Sequence, residues 1–332
     1  MSTFFCNFAF KLENQKMEYA LFKNRSYRGV ISAGLGLYFS HFRLFFKASW
    51  LMALVFAAVF TALEMLFAVE LPAITATILK QELVLRVGMS AELAQQYLMT
   101  IGGILLLVML YVVVEALTTA TVLNKLKEHH DTQTMIVPKR WFAISPRLMG
   151  RTLKGFVFTI LVMMIPALIV GGMFAVLMRF VALAPYTLMA SVSLVSLVLV
   201  LLYLPLLYVF MKYTMNVGGS YFSMLRKAYA TGLNHWGHIF TTCLIGGIVI
   251  GVLGAVCCLP TTILAQAHFV SQEGFLNGDP LGMPDYITPL SLGTFFLTGF
   301  ILVYLCMPML MAIYYMYGSI ESYEKEKTKI DL

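Results

Sequence analysis

The feature that most constrains this chain is a set of six nearly uninterrupted apolar segments. They run Ala48–Val69, Ile101–Leu123, Phe156–Met178, Thr187–Met211, His238–Ala265 and Leu290–Tyr317. A bilayer core about 30 Å thick is crossed by roughly 20 helical residues, so each segment is long enough to span. Inside lipid every backbone N–H and C=O must be paired within the protein, which leaves helices and closed barrels. Barrel strands alternate apolar and polar every second residue, and these runs do not. Composition points the same way. Of 332 residues 60% are apolar and 12% are charged, about half the charge of a soluble domain. A water-soluble globule and a disordered chain are both excluded. The expected fold class is all-α integral membrane, with six transmembrane helices forming three hairpins, each preceded by a cytoplasmic amphipathic or basic segment.

Cationic residues set the expected orientation. The segments on one side hold Lys11, Lys16, Lys23, Arg25, Arg28, Arg43 and Lys47, then Lys125, Lys127, Lys139, Arg140, Arg147, Arg151 and Lys154, then Lys212, Arg226 and Lys227, and last Lys325, Lys327 and Lys329. The other side holds Lys80, Arg86 and Arg179. A bias of 20 against 3 places both termini in the cytoplasm of a bacterial-type inner membrane. The net charge of +7 therefore reads as attraction to anionic lipid headgroups. No motif speaks for nucleic acid. Residues 1–16 lack the order of a signal peptide, because the positive charges follow the apolar stretch. With Met17 opening a natural start, they read either as an upstream extension or as a tail.

Residues 1–30 are then a cytoplasmic tail, 31–124, 139–212 and 218–317 three hairpins, and 318–332 a second tail. Before the first span, Leu35, Tyr38, Phe39, Phe42, Phe45 and Phe46 fall on one helical face and Ser40, Arg43 and Lys47 on the other, the pattern of an interfacial helix. Ser145-Pro146 is a helix start, with Arg147, Arg151 and Lys154 on one face behind it. Residues Tyr221–His238 precede the fifth span with Arg226 and Lys227. Trp50, Trp141 and Trp236 fall one per hairpin on the cytoplasmic side, as interface anchors.

Intramembrane charge is costly and is therefore the first place to look for function. Glu64 lies 14 residues beyond Trp50, about 21 Å of helix, and Glu115 lies 9 residues before Asn124, about 13 Å. They either flank a polar path or are capped by neighbouring helices. Pro166, Pro205, Pro260 and Pro308 mark helix kinks in the remaining spans. Freed carbonyls at such kinks must be covered by protein or water. The Gly171-Gly172 and Gly246-Gly247 pairs read as close-packing sites. The cysteines read as small buried apolar groups. No metal-ligand spacing, nucleophile elbow or phosphate loop is present, so no metal, cofactor or catalytic residue is expected.

Phe42-Arg43-Leu44-Phe45-Phe46, Arg226-Lys227-Ala228-Tyr229-Ala230 and Asn234-His235-Trp236 give the chain an outline that resembles the membrane domain fused to some glycerophosphodiester phosphodiesterases and related bacterial membrane proteins. The resemblance spans about residues 30–317. It implies a helical membrane module and not the phosphodiesterase, whose soluble barrel has no room here. The expected function is a non-enzymatic module that organises lipid or a protein partner, or forms an oligomer. The alternative is a small-molecule or lipid transporter using Glu64 and Glu115. A membrane-embedded enzyme comes third.

Overall fold

A computed structural model describes residues 20–81, 86, 88–132, 145–180, 185–216, 218–278 and 283–330. Among them every regular element is a helix. These are α1 (Tyr27–Ser40), α2 (Phe42–Met65), a π-helical turn (Leu66–Glu70), α3 (Leu71–Leu79), α4 (Ala91–Thr132), α5 (Pro146–Phe180), α6 (Pro185–Met215), α7 (Tyr221–Asn234), α8 (Trp236–Leu276) and α9 (Ile287–Ile330). Six helical stretches are long and apolar enough to cross a membrane: Phe42–Leu79, Ala91–Glu128, Pro146–Met173, Ala190–Met215, Trp236–Leu276 and Ile287–Ile330.

The first span is longer than the apolar run suggests. It passes Val69 and Glu70 and ends at Leu79. Pro72 has no N–H to offer the carbonyl four residues back. The helix widens just before it, and the Leu71 N–H donates to Leu66 O, five residues back. Glu64 accordingly lies near the middle of this span, with Trp50 on one side and Leu79 on the other.

Exposure varies sharply along single helices. On α9 large apolar side chains are exposed between Leu290 and Ile301, whereas Met311, Tyr314, Tyr315, Met316, Tyr317 and Ile320 are buried. On α4 exposure runs from Leu98 to Val113, after which Val114, Ala116 and Ala120 through Leu126 are mostly buried. The exposed stretches fit a lipid environment, where apolar surface costs nothing. The buried ones are protein core.

The chain divides into two compact units. One holds the described parts of Met1–Phe45, Thr119–Ile248 and Pro308–Leu332, the other Phe46–Thr118 and Val249–Met307. The first unit is rich in aromatic and ionic contacts. Arg25 donates its backbone N–H to Ser319 Oγ at 2.9 Å, and its guanidinium lies 5.0 Å from the Tyr315 ring centre. A side chain at Gly318 would collide with the Leu21 carbonyl. Tyr208 donates to Glu321 at 2.5 Å, Lys212 pairs with Glu321 at 2.7 Å, and His235 lies 2.7 Å from Glu324. Residues 318–330, at the start of the stretch read from sequence as a tail, continue α9, and Gly318, Ser319 and Ile320 are buried in this unit. In the second unit Thr261 donates to Thr298 at 2.8 Å, and His268 is bonded to Ser291 at 3.0 Å, all four buried.

Candidate functional site

The helices α5, α6 and α7 build the most differentiated site. Its frame comes from two prolines. Pro205 in α6 leaves the carbonyl of Leu201 without its helical donor. The Trp236 indole fills that role, donating Nε1–H to Leu201 O at 3.1 Å, and Tyr229 donates its hydroxyl to Leu202 O at 2.9 Å. At Pro166 in α5 the Tyr203 hydroxyl donates to Met163 O at 2.6 Å. Gly232 of α7 sits directly on Pro205: a Cβ there would lie 3.0 Å from Pro205 Cβ and 3.2 Å from its carbonyl oxygen. Trp236, expected as an interface anchor, covers a proline-freed carbonyl. Sequence had asked what covers these carbonyls, but the answer depends on which helix lies alongside.

Two cavities open along these helices. One, of about 700 Å³, is bordered by Arg147, Arg151 and Lys154 of α5, by Tyr213 of α6 and by Tyr221 and Phe222 of α7. Arg151 is held in place: its Nε and Nη2 donate to Tyr213 O at 3.1 and 2.7 Å, and its guanidinium lies 4.3 Å from the Tyr213 ring centre. Arg147 and Lys154 are exposed. The buried Tyr221 shares a 2.9 Å hydrogen bond with Thr159. Burial raises its hydroxyl pKa, partly offset by that bond, so it stays protonated. The other cavity, of about 540 Å³, is mostly apolar and runs past Val162, Pro166, Leu202, Leu206 and Leu225, with Arg226 and again Phe222 in its wall.

The intramembrane carboxylates belong to the second unit. Glu64 and Glu115 are both half-buried. Glu64 is near enough to Cys258 to act on it electrostatically, Cys258 on Cys306, and Glu115 on both Cys306 and Tyr111. Cys258 of α8 and Cys306 of α9, read from sequence as small buried apolar groups, are half-buried and exposed. No local signal in the sequence brings α2, α4, α8 and α9 together in this way. Glu64 and Glu115 border neither of the two cavities of α5, α6 and α7.

The other predicted residues fall in several places. Pro260 is exposed on α8, Pro308 is buried on α9, and Trp50 is half-buried on α2. Trp141 lies outside the described residues. Among the described residues no group of three His, Cys, Asp or Glu side chains is placed to hold a metal ion. Compared with known proteins, the chain matches no family model, no curated protein and no solved structure.

Proposed function

We propose that this protein is a non-enzymatic module of a bacterial-type inner membrane, with both termini cytoplasmic, that organises anionic lipid around itself. One observation carries the reading. Exposed cations and exposed apolar side chains adjoin along the same helices. On α5, Arg147 and Lys154 lead into Val157, Leu161, Ile165 and Leu168, and on α7, Phe222 and Leu233 flank Arg226 and Lys227. Such a surface satisfies itself where headgroups meet acyl chains: each juxtamembrane cation gains about 1 kcal/mol from anionic lipid, and the apolar neighbours stay out of water. The three-hairpin arrangement and the resemblance to phosphodiesterase-associated membrane domains are consistent with a module of this kind.

Orientation is tested by labelling. A cysteine at Asn277 should react with an impermeant maleimide in intact cells, and one at Lys325 should not. The reverse pattern overturns the arrangement. Lipid organisation is tested by mass spectrometry of the purified protein, which should retain phosphatidylglycerol in preference to phosphatidylcholine. Equal retention of the two sinks the reading.

A second reading, transport, is favoured by two half-buried carboxylates, Glu64 and Glu115, carried inside apolar helices of the second unit. Under it, Glu64→Gln and Glu115→Gln fold normally and abolish a proton-coupled flux in proteoliposomes. Under the module reading both variants fold and keep lipid retention.

A further inference from the structure

We infer that the cleft of α5, α6 and α7 is a binding site for one anionic phospholipid, its phosphate held by Arg147, Arg151 and Lys154 and one acyl chain lying in the apolar groove beyond Phe222. The inference rests on the lipid-module reading and makes it specific. Its first support is charge. Three cations border the headgroup cavity and no carboxylate does. Among the described residues Arg147 and Lys154 have no ion-pair partner, while Arg151 is fixed by Tyr213. A fixed guanidinium with two exposed cations beside it suits a phosphate, whose oxygens accept charge-assisted bonds from several directions.

The second support is independent of charge. The apolar groove takes up where the basic cavity ends. On α5 the basic cavity reaches Phe158 and the groove begins at Val162, one helical turn later. Phe222 belongs to both walls. Of the polar residues that line the groove, Tyr203 and Tyr229 direct their hydroxyls to the carbonyls of Met163 and Leu202, and Arg226 is exposed, a fourth cation beside the lipid. Volumes of about 700 and 540 Å³ lie in the range of small-molecule sites. A free anion explains only the first cavity and a neutral hydrocarbon only the second. A phospholipid with a net negative headgroup fits both. The exposed Leu161, Ile165 and Leu168 on α5 set the groove at the level of the acyl chains.

The test uses the full chain in detergent with dioleoyl phosphatidylglycerol, phosphatidylcholine as the neutral comparison, and native mass spectrometry as readout. The unmodified protein should retain one phosphatidylglycerol. Arg147→Ala with Lys154→Ala should cut its preference over phosphatidylcholine about thirtyfold, two cations' worth. Lys327→Ala with Lys329→Ala removes the same charge elsewhere, at the exposed end of α9, and should leave the preference intact. Leu225→Trp, which fills the groove, should weaken retention of both lipids. Preference that survives Arg147→Ala with Lys154→Ala overturns the site and leaves the module reading standing. A parent protein with no preference overturns both. Displacement of the lipid by inorganic phosphate at equal concentration would show a simple anion site and overturn the two-part assignment. A phosphatidylglycerol carrying a photoreactive acyl chain provides a check without variants. Crosslinks to the Val162–Pro166 or Leu225–Leu233 peptides support the site, and crosslinks only elsewhere overturn it.

Discussion

The helices α1 and α7 share one frame and put it to different use. Each is 14 residues long, begins after a capping serine and ends at a histidine, and is followed at once by a spanning helix. Ser26 accepts from the Gly29 N–H and Ser220 from the Ser223 N–H, both at 3.4 Å. The closing residues adopt nearly the same backbone, φ −124° and ψ 21° at His41 and φ −106° and ψ 22° at His235. Counted from the serine, the same two positions are buried in both: Gly34 and Tyr38 in α1, Ala228 and Gly232 in α7. Yet α1 also buries Val30, Ala33 and Leu37 and is a core element, whereas α7 leaves Phe222, Arg226 and Lys227 exposed. The capping sets the shared frame, and the side chains between the caps decide whether the helix is packed or left to line a site. The helix α5 has no such break, since it runs from Pro146 to Phe180 without one.

The sharpest test of that difference is how each helix docks. A Cβ on Gly34 would lie 2.8 Å from the backbone nitrogen of Ala312, which cannot yield without shifting α9. On Gly232 the nearest atoms are Pro205 Cβ at 3.0 Å and O at 3.2 Å, where a small slide gives relief. Overpacking costs about 1–3 kcal/mol, with backbone collisions at the high end, and alanine returns about 1 kcal/mol of helix propensity. Gly34→Ala should therefore lose about 2 kcal/mol of stability and Gly232→Ala less than about 1 kcal/mol. Thermal unfolding in one detergent measures both. Equal losses would mean that α1 is no more deeply packed than α7.

A second test asks whether α7 and α8 are fixed by the proline they cover. Trp236→Phe leaves Leu201 O without a donor and should cost about 1.5 kcal/mol. In a Pro205→Ala background residue 205 regains its N–H and pairs that carbonyl itself. The same Trp236→Phe change should then cost about 1 kcal/mol less, a coupling read directly from the double-mutant cycle. Additive losses would break the link between Pro205 and Trp236 and leave the indole as a packing group.

The spans were legible because hydropathy is local: any run of about 20 apolar residues declares itself. The extension through Glu70 to Leu79 was hidden by the charge at Glu70 and by Pro72, which reads as a helix breaker until a π-helical turn absorbs it. The match of α1 to α7 was available in the Ser-Tyr pairs at 26 and 220 and the His-aromatic pairs at 41 and 235, equally spaced. It was masked because the residues between them differ in charge. The basic face of α5 was read correctly as cationic. Its joining to an apolar groove needed α6 and α7 beside it, and nothing in α5 itself reports that. The same holds for Cys258 and Cys306, whose neighbours Glu64 and Glu115 come from distant segments.

The smallest expected effect concerns the histidine that closes α7. His235 Nε2 lies 2.7 Å from Glu324 Oε1, and the Glu324 side chain is 39% exposed. Water competes for such a pair, which is worth about 0.2–1 kcal/mol. The neighbouring Glu321 is better shielded, at 16% exposure, and takes both Lys212 and the Tyr208 hydroxyl. Glu324→Gln should therefore lose less stability than Glu321→Gln, and its loss should shrink in 1 M salt, where the screening length falls to about 3 Å. Both comparisons come from the same unfolding curves. If Glu324→Gln costs more than about 2 kcal/mol and ignores salt, the pair behaves as a buried one. The end of α9 would then hold the α7–α8 junction as firmly as Gly34 holds α1, and the contrast between a packed first helix and a looser, site-lining second one would fail at its hinge.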